Sequence, residues 1–66
     1  MNKNNITSAE YSYDVHGHKG MIKVTANNIV FWVPNNSPKN KDYQAIQEWI
    51  VEGGVVIDNP PTQENI

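Results

Sequence analysis

Residues 21–34 read MIKVTANNIVFWVP, and this stretch decides the fold. Apolar and polar residues alternate on both sides of Asn27-Asn28, as they do in two half-buried strands. Asn tolerates positive φ better than most residues, so this pair can form a two-residue hairpin turn, although Asn-Gly would be a stronger signal. The turn fixes a register in which Ala26 faces Ile29.

The register divides the hairpin into two faces. One face is apolar throughout and contains the pairs Ala26–Ile29, Val24–Phe31 and Ile22–Val33. The other face is mixed and contains the pairs Thr25–Val30, Lys23–Trp32 and Met21–Pro34. A slip of one residue would mix the two faces. The strand is expected to end at Pro34, because proline cannot donate a ladder hydrogen bond.

Two flanking segments extend this hairpin. Residues 10–15, EYSYDV, alternate with a period of two and predict a first strand, and HGHKG (16–20) predicts the loop that follows it. Near the other end, VVID (55–58) can form a last short strand at the edge of the sheet.

Residues 40–54, NKDYQAIQEWIVEGG, predict one short helix. Asn40 is a good N-cap, and an alternative start has Ser37 as the cap with Pro38 in the first turn. Gly53 is a suitable left-handed stop. Apolar residues at three- and four-residue spacing form one stripe, made of Tyr43, Ile46, Trp49 and Ile50.

The predicted fold class is therefore α+β, a small three- to four-stranded antiparallel sheet (a meander) with one helix packed on one face. Residues 1–9 are expected to be a flexible N-terminal arm, 10–58 a single small domain, and 59–66 a polar C-terminal tail.

The chain is 66 residues long, and a domain of this size is marginally stable alone. Such scaffolds usually need disulfides, a metal or a partner chain. Cysteine is absent, which excludes disulfides and thiolate metal sites and is compatible with a reducing compartment. A partner chain, or a metal held without cysteine, remains a candidate.

Composition argues against several function classes. The chain has only five Lys and Arg residues, which are scattered, and its net charge is −2, so a nucleic-acid partner is not expected. Apolar runs fall far short of the roughly 20 residues that span a bilayer, so no membrane association is expected. MNKNNITSAE has no apolar core and does not resemble a secretory signal.

The residues that could carry chemistry form no convincing site. His16 and His18 with Asp14 suggest a metal site, but a solvated turn is the favoured interpretation, because the spacing matches no established set of ligands. Glu48 and Glu52 lie one turn apart on a helix surface that is expected to be solvated. We therefore expect no enzyme activity, no cofactor and no metal.

One helix can cover only one face of the sheet. The mixed face would keep Met21, Val30 and Trp32 in contact with water, beside Lys23, and these four residues are the predicted partner-binding site. In the alternative interpretation, Lys23 and the N-terminal arm partly cover Trp32.

Part of the chain resembles a pattern in small proteins and protein ends encoded by tailed bacteriophages. The similarity covers roughly residues 29–54 and departs from the pattern at Gly54, where asparagine is common. It is carried by Val33-Pro34-Asn35-Asn36, Asn40, Asp42-Tyr43-Gln44, Trp49 and Glu52-Gly53.

The resemblance implies a phage structural or assembly protein and no catalytic residue. We expect a non-enzymatic virion component that docks on a larger tail or capsid protein and contacts copies of itself. It would be located in the virion, and in the host cytoplasm during assembly. The alternatives are a tail-fibre assembly chaperone that is absent from the mature particle, and a small host-directed phage inhibitor.

Overall fold

A computed structural model describes residues 1–60 and contains one sheet and one helix. The elements in chain order are β1 (Ile6–Tyr13), β2 (Lys19–Ala26), β3 (Ile29–Pro34) and α1 (Lys41–Val51), preceded by a 3₁₀ turn at Lys3–Asn5. The strands are antiparallel in the order β1-β2-β3, which is a meander. The predicted α+β class is confirmed.

The β2–β3 hairpin has the register that the sequence predicts at all six pairs, from Met21–Pro34 to Ala26–Ile29. Asn27 and Asn28 have φ angles of 52° and 63°. Two consecutive positive φ angles are what a type I′ turn requires, and this turn has the twist that suits two adjoining strands. The side chains of the two faces are therefore separated as expected.

The first strand begins at Ile6, four residues before the predicted start, and ends at Tyr13 rather than at residue 15. The pairing with β2 is irregular between Ile6 and Ser8, so Ile6 and Ala9 both reach the core although three residues separate them. The expected boundary at residue 9 between an arm and a domain therefore falls inside β1. The residues before β1 lie beside the helix, where Lys3 forms an ion pair with Glu52.

The helix begins after Asn40, whose side-chain oxygen accepts hydrogen bonds from the backbone N–H groups of Asp42 (2.8 Å) and Tyr43 (3.1 Å). Ser37 is not the cap, because its hydroxyl donates to the carbonyl oxygen of Pro34 (2.6 Å). Gly53 has a φ of 107° and follows the helix as its left-handed stop. No helix within residues 1–60 is long and apolar enough to cross a membrane.

The core lies between the helix and one face of the sheet, as predicted. The helix contributes Ile46, which is fully buried, and the half-buried Tyr43, Trp49 and Ile50 pack around it. The buried cluster consists of Ile6, Ala9, Ile22, Val24, Ala26, Val33 and Ile46.

The predicted last strand at 55–58 is reduced to a single bridge. Ile57 pairs in parallel with Glu10, and its N–H and C=O groups bond to Ala9 and Tyr11 at 2.9 and 3.0 Å. The neighbouring residues Val55, Val56 and Asp58 form no bridge, so the segment is not a full strand. Of the expected polar tail 59–66, residues 61–66 lie outside the described part of the chain.

Candidate functional site

The face of the sheet opposite the helix contains all four predicted partner-binding residues. We call it the open face; from β1 to β3 its residues are Ser8, Glu10, Ser12, Met21, Lys23, Thr25, Val30, Trp32 and Pro34. They alternate along each strand with residues that point into the core. The two-residue turn at Asn27-Asn28 puts them on one side, because it fixes the register of the hairpin.

The apolar part of the open face lies on β3. Trp32 is 55% exposed and Val30 is 47% exposed, and the two are neighbours on the same side of the strand. Met21 is half-buried on the adjacent strand, opposite Pro34. Together they form an apolar strip at one margin of the face, while the β1 side is polar.

Lys23 lies directly opposite Trp32, and its ammonium nitrogen is 6.0 Å from the centre of the indole ring. This is the outer limit of a cation–π contact, and such contacts at exposed sites contribute about 0.5–1 kcal/mol. Lys23 thus shields one side of Trp32 and leaves more than half of it accessible. The structure therefore contains the contact with Lys23 that the alternative interpretation includes.

The N-terminal segment does not cover Trp32, because it lies on the helix side of the sheet. Met1 packs against the core, and the backbone carbonyl of Asn5 accepts a hydrogen bond from Asn27 N–H (3.3 Å). The segment therefore stabilises the covered face, and Trp32 remains exposed.

The two edges of the sheet differ. The edge of β1 is occupied in its middle by the bridge to Ile57. Along β3, no further strand is paired within residues 1–60. The two residues that flank a two-residue turn, here Ala26 and Ile29, form a hydrogen-bonded pair. Along the ladder, hydrogen-bonded pairs alternate with pairs whose N–H and C=O groups point outward. The backbone N–H and C=O groups of Val30 and Trp32 consequently point away from β2.

A polar cluster that sequence reasoning missed fastens the C-terminal segment to β1. The Asp58 carboxylate accepts hydrogen bonds from the Tyr13 hydroxyl and from the Lys19 ammonium, the latter at 3.0 Å. These bonds lower the pKa of Asp58, Tyr13 contributing first, and the bond to Asp58 raises the pKa of Lys19. Lys19 also lies 4.1 Å above the ring of Tyr11. The cluster holds Ile57 in its bridge.

The loop with two histidines is organised around Asp14. Its carboxylate accepts hydrogen bonds from the backbone N–H groups of His18 (2.9 Å) and His16 (2.8 Å), which lower its pKa, that of His18 contributing most. Gly17 has a φ of 79°, as the tight turn requires. Within residues 1–60, no group of three His, Asp or Glu side chains could hold a metal ion.

A concavity of about 460 Å³ lies between the N-terminal segment and the helix. It is shallow and wide open, which is unlike the enclosed sites that bind small molecules. Its lining contains no serine, cysteine or histidine and consists of Met1, Asn2, Lys3, Asn4, Lys41, Gln44, Ala45 and Glu48.

Several residues of the phage-like pattern have clear structural roles. The Asn35 side chain donates to the Lys19 carbonyl (3.1 Å), Asn40 caps the helix, and Gln44 donates to the Pro38 carbonyl (2.8 Å). Asn36 has a φ of 56°. These residues of the pattern therefore shape the connection from β3 to the helix.

The departure at Gly54 also has a physical reason. A Cβ atom at this position would lie 2.2 Å from the nearest atom of the Trp49 ring. An asparagine could not be accommodated here unless the indole moved.

Comparison with known proteins gives no further constraint: no family model matches the chain, and neither the curated proteins nor the solved structures contain a match.

Proposed function

We propose that this protein is a non-enzymatic component of a bacteriophage virion, a small module that docks through its open face onto a larger tail or capsid protein. The observation that carries the proposal is the exposure of Trp32 and Val30, side by side on a sheet face that lies opposite the only helix within residues 1–60. The phage setting is supported by the resemblance across residues 29–54.

The exposed part of Trp32 is large enough to anchor a partner. A tryptophan side chain presents on the order of 250 Å², so 55% of it corresponds to about 140 Å². Burial of that area is worth at most about 3.5 kcal/mol, and a difference of this size changes a dissociation constant by roughly a few hundredfold. Val30 and Met21 would enlarge the same contact.

The open face has the composition of an interface. Tryptophan and methionine are enriched at the centres of protein–protein contacts, and polar residues surround them at the rim. Here Trp32 and Met21 are bordered by Ser12, Thr25 and Lys23. Lys23 would give the docked complex a preference for an acidic or aromatic group on the partner.

Gradient purification of phage particles followed by quantitative mass spectrometry tests the proposal. The chain should be present in a fixed ratio to a major structural protein, and Trp32→Thr should reduce that ratio. Val51→Thr is the control, since Val51 is an apolar and more exposed residue (86%) on the helix. Its ratio should equal that of the wild type.

Absence of the chain from purified particles would overturn the proposal. If the chain were then found with an unassembled tail-fibre protein, it would be an assembly chaperone. If it were found with a host protein, it would be an inhibitor. Pull-down from infected cells at an early and a late time distinguishes these two outcomes.

A further inference from the structure

The exposed edge of β3 has a geometry that fits a copy of itself. Val30 and Trp32 direct their backbone N–H and C=O groups outward, and they are separated by one residue, Phe31. In an antiparallel pair, such residues exchange two hydrogen bonds with the residue directly opposite. We propose that two copies of this chain pair through β3, antiparallel and symmetric about Phe31, to form one six-stranded sheet.

In this arrangement Val30 lies opposite Trp32 of the second copy, and Trp32 lies opposite Val30 of the second copy. Both outward N–H groups and both outward C=O groups of each copy are then paired. A symmetric pairing centred on Trp32 would set Val30 against Pro34. Pro34 has no N–H group, so the carbonyl of Val30 would lose its donor. Between these two arrangements, the sequence of the strand therefore favours Phe31 as the centre.

Charge also permits the pairing of two identical strands. Edge strands are commonly protected from association by charged side chains, but Ile29–Pro34 has none. The charged residue opposite β3 on the open face is Lys23, one strand away. The two copies of Lys23 would be separated by three strand spacings, about 14 Å. That exceeds the screening length of about 8 Å at physiological salt, so repulsion is weak.

The size of the contact predicts a dimer that depends on concentration. A strand of six residues is about 20 Å long, and the molecule is 22 Å across its shorter axes, so each copy can bury at most about 440 Å². The total is below the roughly 1,200 Å² at the lower limit of stable interfaces. The pairing is therefore expected to be reversible.

The self-pairing extends the open face and does not consume it. Paired residues of neighbouring strands point to the same side of a sheet. Trp32 and Val30 of one copy would adjoin Val30 and Trp32 of the other, and the apolar strip would be doubled in width. The inference stands on the edge geometry alone and is independent of the virion role.

Because the chain has no cysteine, disulfide cross-linking can read the register directly. Val30→Cys and Trp32→Cys chains are mixed in equal amounts and oxidised. Opposed residues in a hydrogen-bonded pair have Cα atoms about 5.5 Å apart, which suits a disulfide. Two copies of Val30 would be roughly 8 Å apart, beyond the limit of about 7 Å. Mass spectrometry should show the mixed dimer in clear excess over both homodimers.

The matched control mixes Val51→Cys with Val55→Cys, two exposed positions away from β3, and gives the rate of random collision. A mixed dimer of Val30→Cys and Trp32→Cys without excess over random pairing would overturn the proposal. Preferential self-cross-linking of Trp32→Cys would also overturn it, since it places the centre elsewhere.

A second measurement avoids cysteine altogether. Val30→Pro removes one outward N–H group and leaves the ladder to β2 intact, whereas Val30→Thr keeps that group. In sedimentation, the wild type and Val30→Thr should dimerise as concentration rises, and Val30→Pro should stay monomeric with an unchanged far-UV spectrum. A wild type that remains monomeric up to about 1 mM, or a Val30→Pro chain that dimerises normally, contradicts the proposal. Loss of particle binding alone would leave these results unchanged.

Discussion

Gly54→Ala should destabilise this protein much more than a surface substitution does, because the segment after the helix passes against the ring of Trp49. The backbone N–H of Gly54 donates to the Trp49 carbonyl at 2.8 Å, which holds the chain close to the indole. A Cβ atom on Gly54 would lie 2.2, 2.4 and 2.6 Å from three atoms of that ring. Non-bonded carbon atoms normally remain about 3.5–4.0 Å apart.

The magnitude follows from what must move. The ring or the backbone has to shift by more than 1 Å, and overpacking of this kind costs about 1–3 kcal/mol. Trp49 packs on the buried cluster, so its displacement also loosens the helix from the sheet. For a domain of this size, 1–3 kcal/mol corresponds to a fall in Tm of roughly 5–20 °C.

Thermal and urea unfolding followed by circular dichroism measure the effect. Gly20→Ala is the matched control, since a Cβ at Gly20 would meet no atom within 4 Å. Its unfolding free energy should stay within about 0.5 kcal/mol of the wild type. Gly54→Asn, which restores the residue common in the phage-like pattern, should be at least as unstable as Gly54→Ala. Equal Tm values for Gly54→Ala and Gly20→Ala would refute the packing described here.

Three further predictions concern the helix start, the hairpin turn and the C-terminal segment. Asn40→Ala should lower the unfolding free energy by about 1 kcal/mol and Ser37→Ala by less than half of that, because only Asn40 caps the helix. Urea titration compares the two variants, and a larger effect at Ser37 would mean that the helix begins at Ser37. Asn28→Ala should cost about 1–2 kcal/mol while Asn28→Gly should not, since φ is 63°; a similar loss in both would place the turn elsewhere. Asp58 has a lowered pKa in the folded protein, so its contribution to the free energy of unfolding is present above the unfolded pKa near 3.9 and is lost as pH falls through the lower folded pKa. The chemical shift of the Ile57 amide should change over that pH range in the wild type and stay constant in Asp58→Asn. An identical titration in both proteins would contradict the cluster.

The covered half of the fold could be predicted because local rules decide it. The Asn27-Asn28 turn sets the register of two strands whose alternation is unbroken, so each pair follows from the first. The helix could be predicted equally well, since Asn40 and Gly53 mark its two ends.

The first strand was misplaced because its alternation is broken. The irregular pairing between Ile6 and Ser8 inserts one residue, so Ile6 and Ala9 are buried on the same face at an odd spacing. A search for period two therefore begins only after the irregularity. The residues before Ile6 are rich in asparagine, a composition that favours irregular structure over a strand.

The last strand was predicted to be longer than it is for a different reason. The apolar run Val55-Val56-Ile57 suggests a strand, but only Ile57 meets the edge of β1. What holds the segment is the contact of Asp58 with Tyr13 and Lys19, residues more than 35 positions away in sequence. Such contacts carry no local signal and emerge only from the folded chain.

The β2 and β3 residues of the open face were predicted one by one, because they alternate with the covered residues in a known register. The free edge of β3 could not be assigned from the hairpin alone, since it requires the order of all three strands and the absence of a fourth strand beside Ile29–Pro34 within residues 1–60. The two proposals assign different partners to the face and to the edge. Side chains on the face would meet a larger protein, and the edge would meet a second copy.

Hydroxyl-radical footprinting of Trp32, in the free chain and in purified particles, tests the docking claim most directly. Trp49, which packs on the core, is the internal reference. The proposal predicts that Trp32 is oxidised readily in the free chain and is protected in the particle, while the reactivity of Trp49 stays the same. A Trp32 that is already protected in the free chain, or equally reactive in both states, would contradict it.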